Sequence, residues 1–171
     1  MPQPPAFQKG YLSWKSNANF YFINCQISFV TTPPENYGSF PHHEIEQAYL
    51  CTEPVVRIRK EDDNYYLTYK SKGLLAREEY NLPLTKEAYA HLLTKADGNV
   101  LTKKRYLIPV PGREDLTVEF DVFEGKFAGL MLAEIEFSSE EDAKAFPPLP
   151  WFDRDVTWSG EYQNSKLSKM P

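Results

Sequence analysis

Two arginines one residue apart, Arg57 and Arg59, sit inside the β-branched run Val55-Val56-Arg57-Ile58-Arg59. Side chains alternate across a strand, so both guanidinium groups share one face while Val56 and Ile58 share the other. A face built for a core would be apolar at the arginine positions. Two parallel forks suit a polyanion, because guanidinium pairs with phosphate oxygens bidentately. The pattern recurs along the chain. Basic faces come from Lys70 with Lys72, from Arg77 and from Arg105. Acidic faces come from Glu119 with Asp121 and from Glu134 with Glu136. Behind them lie apolar faces, such as Val118, Phe120 and Val122, or Met131, Ala133, Ile135 and Phe137.

Two architectures can use such strands. In an open antiparallel sheet the charges face water. In a closed antiparallel barrel turned inside out, the charges line a lumen and helices cover the apolar exterior. Same-sign pairs on one face repel when they lack partners, and the helices need an apolar surface to pack on. Both features favour the barrel. Cations on one side of its lumen would grip phosphates. Carboxylates on the other would hold Mg²⁺ or Mn²⁺, since hard cations take oxygen ligands.

The totals set bounds. A chain of 171 residues is one domain with room for a real core. A net charge of -5 argues against a nucleic-acid polymer as partner, though not against an enclosed basic pocket. Two cysteines, Cys25 and Cys51, make no disulfide scaffold and point to the cytoplasm. No apolar run approaches the roughly 20 residues of a membrane span, so no membrane partner is expected.

Taken in order, Phe20 to Val30 alternates as one strand, and a Pro/Gly loop follows that holds His42 and His43. Val55–Lys60 and Tyr65–Lys70 flank a turn, forming a hairpin. Arg77 to Leu82 alternates as a further strand. Thr85 caps a helix whose apolar stripe is Ala88, Leu92, Leu93 and Ala96, and Gly98 stops it. Strands are expected over Lys104–Val110, Leu116–Phe123 and Leu130–Phe137. Ser138 with Glu141 reads as the capping box of a short helix to Phe146. Trp151 and Trp158 read as packing anchors in an irregular tail, and Cys51 as a buried strand residue.

Eight short stretches then fall in series: Ile45–Leu50, Val56–Arg59, Leu67–Lys70, Arg105–Pro109, Glu119–Asp121, Leu132–Glu136, Asp155–Thr157 and Tyr162–Ser165. Each is common alone; the series over residues 34–168 resembles the CYTH, or triphosphate tunnel metalloenzyme, family. The resemblance implies an eight-stranded antiparallel tunnel with a charged lumen, flanked by a few helices. It implies a metal-dependent hydrolase of a small-molecule triphosphate, inorganic tripolyphosphate first. A class IV-type adenylate cyclase and a non-catalytic polyphosphate or nucleotide binder stay open as alternatives, as does a homodimer. Carried over by position, Arg57, Arg59, Lys70, Lys72 and Arg105 would be phosphate ligands. Glu134 and Glu136 would be ligands of Mg²⁺ or Mn²⁺, and Glu119 and Asp121 lumen carboxylates near metal or cation.

The family opens with Glu-x-Glu-x-Lys on its first strand, and that motif is absent here. Trp14 to Phe20 can be encoded by TGG AAA TCG AAC GCA AAT TTC. With one preceding A and a shifted frame, the same bases give Met-Glu-Ile-Glu-Arg-Lys-Phe, the missing opening. Residues 1–32 are therefore expected to be an atypical, out-of-frame segment, and 33–171 the family domain. Read as written, the first strand brings no carboxylate pair to the lumen, which leaves the barrel incomplete and the enzyme impaired.

Overall fold

A computed structural model describes residues 19–21, 24–70 and 77–171, with the backbone alone for 19–21, 24 and 77–79. Lys72 and the side chain of Arg77 therefore lie outside the described residues. The chain runs β1 (Asn19–Tyr21), β2 (Asn24–Phe29), β3 (His42–Thr52), β4 (Val55–Glu61), β5 (Asn64–Lys70) and β6 (Arg77–Pro83). Helix α1 (Lys86–Leu93) follows, then β7 (Leu101–Val110), β8 (Arg113–Phe123) and β9 (Met131–Phe137). Helix α2 (Glu140–Ala145), β10 (Arg154–Asp155) and α3 (Asn164–Leu167) end it.

The strands form one sheet in the order β1-β6-β5-β4-β3-β7-β8-β9-β2-β10, and every pair is antiparallel. The hydrogen-bonded order is open. Yet β1 pairs with β6 while β2 pairs with β9, and Tyr21 and Asn24 belong to one continuous segment. Three residues of extended chain span at most about 11 Å. The N-terminal segment thus ties the two flanks of the sheet together, and the sheet curls into an incomplete barrel. The expected strand over Phe20–Val30 is shared between those two pairings.

Period-two alternation decides what faces where. Outside, Ile108, Val118, Phe120, Ala133, Ile135 and Phe137 form a core closed over by Phe146 of the α2 region and by Trp151. Ala48 and Ile58 form a second outer patch under Tyr89, Leu92 and Leu93 of α1. Each such side chain contributes roughly 1.5–3 kcal/mol when fully buried. The Thr85 hydroxyl accepts from the Ala88 amide, so α1 starts where the sequence predicts. It ends at Leu93, earlier than Gly98 suggests, because the following residues turn to bond Asp97 N–H to the Tyr49 carbonyl.

A third cluster lies on the inner face and stoppers one end: Tyr49, Leu101, Phe123, Leu132 and Leu167 of α3. The C-terminal segment is strapped there. Asn99 N–H donates to the Ser168 carbonyl at 2.7 Å, and Asn99 Nδ2 to the Met170 carbonyl at 2.7 Å. Gly98 has φ 111°, and a Cβ built there would stand 2.2 Å from the Ser168 oxygen. Only glycine allows that approach.

Several local expectations are corrected. His42 and His43 lie in β3 and not in a loop: His42 packs on the Tyr106 ring, and His43 Nδ1 bonds Asp62 Oδ2 at 2.7 Å. The β7 and β8 strands each begin three residues earlier than alternation suggests, since Leu101 finds Gln47 as partner and Arg113 pairs back to Val110. The cap of α2 is Ser139, whose hydroxyl accepts from Asp142 N–H, and not Ser138. Cys51 is half-buried, and its thiol donates to the Glu53 carbonyl. Trp151 packs edge-on against Phe120 as expected, but Trp158 is 90% exposed and anchors nothing. Helix α3, one turn long, carried too little periodicity to be read.

Candidate functional site

The inner face carries the charges. Arg57 on β4 is buried, and its Nη2 donates to Thr68 Oγ1 at 3.3 Å. Thr68 in turn donates to Asn81 Oδ1 at 2.6 Å. Arg59 Nε and Nη2 both donate to Gln47 Oε1, at 3.2 and 2.9 Å, and Nη1 donates to Tyr66 Oη at 3.4 Å. Tyr66 donates to Glu61 Oε2 at 2.6 Å, and that carboxylate lies 3.5 Å from Arg59. Both forks are thus held from behind by neighbouring strands.

On β7 and β8, Arg105 and Lys103 share Asp121. Arg105 Nε and Nη2 donate to the two Asp121 oxygens at 2.7 Å each, and Lys103 Nζ donates to Oδ2. Arg105 also donates to Glu119, and at 3.4 Å to Glu134. Lys103 is 1% exposed and Asp121 3%. Burial pushes the Lys103 ammonium down to about 8, with Asp121 pulling the other way. Burial also works to raise Asp121, but the Arg105 and Lys103 charges outweigh it and hold its carboxyl at about 2.

Side chains from strands far apart in the sheet order act on one another across the interior. Glu134 of β9 acts on the Tyr49 hydroxyl of β3, and Lys70 of β5 acts on Glu136 of β9. A sheet curled with its ionic face inward brings β5 and β3 to β9 in this way.

Glu119, Glu134 and Glu136 make the opposite wall. Burial first, then their mutual repulsion, raises Glu119 and Glu136 above the ordinary carboxylate range. Carboxylates that outnumber the cations beside them are what a hard divalent ion satisfies. By donor chemistry the wall suits a hard divalent cation. Its first-strand side does not add to it. Cys25 lies opposite Glu136 and Ile27 opposite Glu134, and the Cys25 thiol donates to Glu134 Oε1 at 2.7 Å. Burial and the nearby carboxylates push that thiol far above its ordinary range, so it stays protonated. Among the described residues, no three His, Cys, Asp or Glu side chains converge into a metal cluster.

Of the predicted site residues, the structure brings Arg57, Arg59, Lys70, Arg105, Glu119, Asp121, Glu134 and Glu136 to one interior, and Lys72 lies outside the described residues. Asp121 stands apart from the other acids. Both its oxygens are engaged by Arg105 and Lys103, so it orients cations and is not open to a metal. Sequence reasoning missed Gln47, Tyr66 and Thr68. The register to Arg59 and Arg57 would have found them, since cross-strand partners share a face. Gln47 is fully buried, and its Nε2 has no hydrogen-bond partner among the described residues. Such an orphaned donor costs roughly 1–3 kcal/mol.

The CYTH domain model matches residues 35–171. The chain belongs to the CYTH family. It is 36% identical over 139 residues to a protein named inorganic triphosphatase from Nitrosomonas europaea, covering 77% of this chain and 91% of that one. It is 38% identical over 119 residues to an inorganic triphosphatase from Acetivibrio thermocellus, covering 68% and 72%. A crystal structure of the inorganic triphosphatase NE1496 superposes with a TM-score of 0.70 at 30% identity, covering 88% of this chain and 97% of that one. The fold expectation, an antiparallel CYTH tunnel left incomplete, is met. Triphosphatases of this family are metal-dependent in general. No helix among the described residues is long and apolar enough to cross a membrane.

Proposed function

We propose that this CYTH protein hydrolyses a small-molecule triphosphate, inorganic tripolyphosphate first, with Mg²⁺ or Mn²⁺, in the cytoplasm. The observation that carries the reading is the interior that sets Arg57, Arg59 and Arg105 against Glu119, Glu134 and Glu136. Two curated relatives named for that activity support it. Arg57 and Arg59, braced by Thr68 and Gln47, would bind the anion's oxygens and neutralise charge developing on the transferred phosphoryl group. Arg105, fixed by Asp121, would hold a further phosphate, and Lys70 would add charge from β5. Glu134 and Glu136, with Glu119, would hold the divalent ion. When bound, such an ion supplies charge neutralisation and lowers the pKa of an attacking water.

Phosphate release from tripolyphosphate with Mg²⁺ or Mn²⁺, and its absence with chelator, tests the reading. Expected is metal-dependent release that an Arg59→Ala variant loses by about 10²–10³-fold. No release with either ion, or a cyclic nucleotide formed from ATP as the main activity, overturns it. Cys25 and Ile27 on the metal wall favour one second reading, a binder without turnover, which shows as tripolyphosphate binding with no phosphate released.

The proposal extends to the N-terminus: residues 1–32 are an out-of-frame reading of the family's opening strand. Support comes from the family match starting at residue 35 and from the codon compatibility of Trp14–Phe20. The gene's own bases test it, and any codons there that do not shift to Glu-x-Glu-x-Lys overturn it.

A further inference from the structure

We propose that Gln47 is an anion-binding and positioning residue of the tunnel, a role that rests on the triphosphatase reading. Three observations carry it. Gln47 is 0% exposed yet polar, on an inner face whose neighbouring positions are Ile45, Tyr49 and Leu101. Its carboxamide oxygen accepts from two nitrogens of Arg59, so it fixes both the position and the plane of that guanidinium. Its amide nitrogen is a buried donor with no acceptor among the described residues.

A glutamine kept only for packing has no reason to leave that donor orphaned, since a methionine or leucine would fill the volume without it. A glutamine kept only to hold Arg59 would be outdone by glutamate, whose carboxylate accepts the same two bonds with charge assistance. Glutamate would, however, cancel the charge of Arg59 toward an anion. Glutamine meets three demands together: it orients the fork, leaves its charge intact, and adds a neutral donor beside it. The acceptor suited to that donor is an oxygen of the anion that Arg59 binds. Lys103, whose ammonium feels the Arg59 charge, places a further cation near the same point.

The test is Q47L in the full-length protein, measured by tripolyphosphate hydrolysis with Mg²⁺, by calorimetric binding of tripolyphosphate, and by thermal midpoint. Expected is a KM raised about 10–100-fold with a smaller change in kcat, and a midpoint only slightly below wild type, since the loss of two bonds to Arg59 is partly offset by removing the orphaned donor. Q47E should raise KM at least as much while keeping Arg59 anchored. In an Arg59→Ala background the Q47L effect should shrink, because the positioning part has already been removed. If Q47L does not fold, Q47M carries the same expectations. A Q47L protein whose KM and binding stay within about twofold of wild type overturns the inference, as does an equal loss in both backgrounds. A wild type that neither binds nor cleaves tripolyphosphate overturns the triphosphatase reading itself, and this inference with it.

Discussion

The two walls of the interior are built to different standards. On the cation wall Arg57, Arg59, Arg105 and Lys103 each have a brace. Arg59 leans on Gln47 and Tyr66, Arg57 on Thr68, and Arg105 and Lys103 on Asp121. The braces come from the strand next door, so the sheet register itself sets where the guanidinium groups point. The carboxylate wall is held more sparsely: Arg105 reaches Glu119 and Glu134, the Cys25 thiol donates to Glu134, and Glu136 has no ion-pair partner among the described residues. Glu119 and Glu136 hold protons more tightly than free acids do, through burial and through the charges of their acidic neighbours. The strand that flanks them, β2, offers a thiol and an isoleucine. One wall is thus organised before any ligand arrives, and the other, beyond what Arg105 offsets, keeps an excess of negative charge that a bound cation would relieve. Preorganised charge is the larger share of most catalysis of this kind, so the anion side of the site is ready and the metal side is the weaker half.

The strongest way to break the contrast is to remove the brace that two cations share. Asp121→Ala leaves Lys103 and Arg105 enclosed without their main partner, which costs about 3–5 kcal/mol. Denaturant unfolding should show that loss, and tripolyphosphate turnover should fall with it. A small loss would mean that the wall is not preorganised. The same residue sets an acid limb. Its folded carboxyl is held at about 2, below an unfolded value near 3.9. Between those values the unfolded chain binds more protons, so stability rises with pH. The contribution is complete above a pH of about 4 and is lost as pH falls toward 2. Asp121→Asn should flatten that limb in acid titrations of the folded protein.

A smaller effect sharpens the contrast from the other side. Cys25→Glu places a carboxylate on β2 beside Glu134 and Glu136. If that wall is the metal side and lacks ligands from the first strand, Mn²⁺ affinity should rise by about tenfold or more. Mn²⁺ titration calorimetry reads it. Unchanged affinity would place the ion elsewhere and remove the reason for calling this wall incomplete.

The contrast also explains what could be read from the chain beforehand. Alternation of Arg57 and Arg59 with Val56 and Ile58 was enough to predict an ionic inner face, because a strand has only two faces. The same logic gave Glu119, Glu134 and Glu136. It could not separate Asp121 from those acids. That difference depends on which cations stand opposite, and hence on the pairing of β8 with β7. Gln47 was hidden for the same reason, since a glutamine in an apolar stretch says nothing until Arg59 is found beside it. The stopper of α3 was out of reach because a single turn has no periodicity, and its docking depends on Gly98 lying under Ser168. What travels well in sequence is facing; what does not is partnership across strands.

The smallest expected effect bears on the carboxylate wall alone. Glu136 has no ion-pair partner among the described residues, and burial, then Glu119 and Glu134, raise its proton affinity. Ionised at neutral pH, it works against the folded state. Because part of the residue stays open to water, solvent screening keeps that penalty under about 1 kcal/mol. Glu136→Gln should therefore raise the thermal midpoint slightly in the absence of divalent ions. With Mg²⁺ present the order should reverse, since the variant has given up a ligand that the ion uses and gains less from binding it. Midpoints measured with and without Mg²⁺ at neutral pH separate the cases. A variant less stable under both conditions would show that Glu136 is already compensated, and the two walls would then be equals.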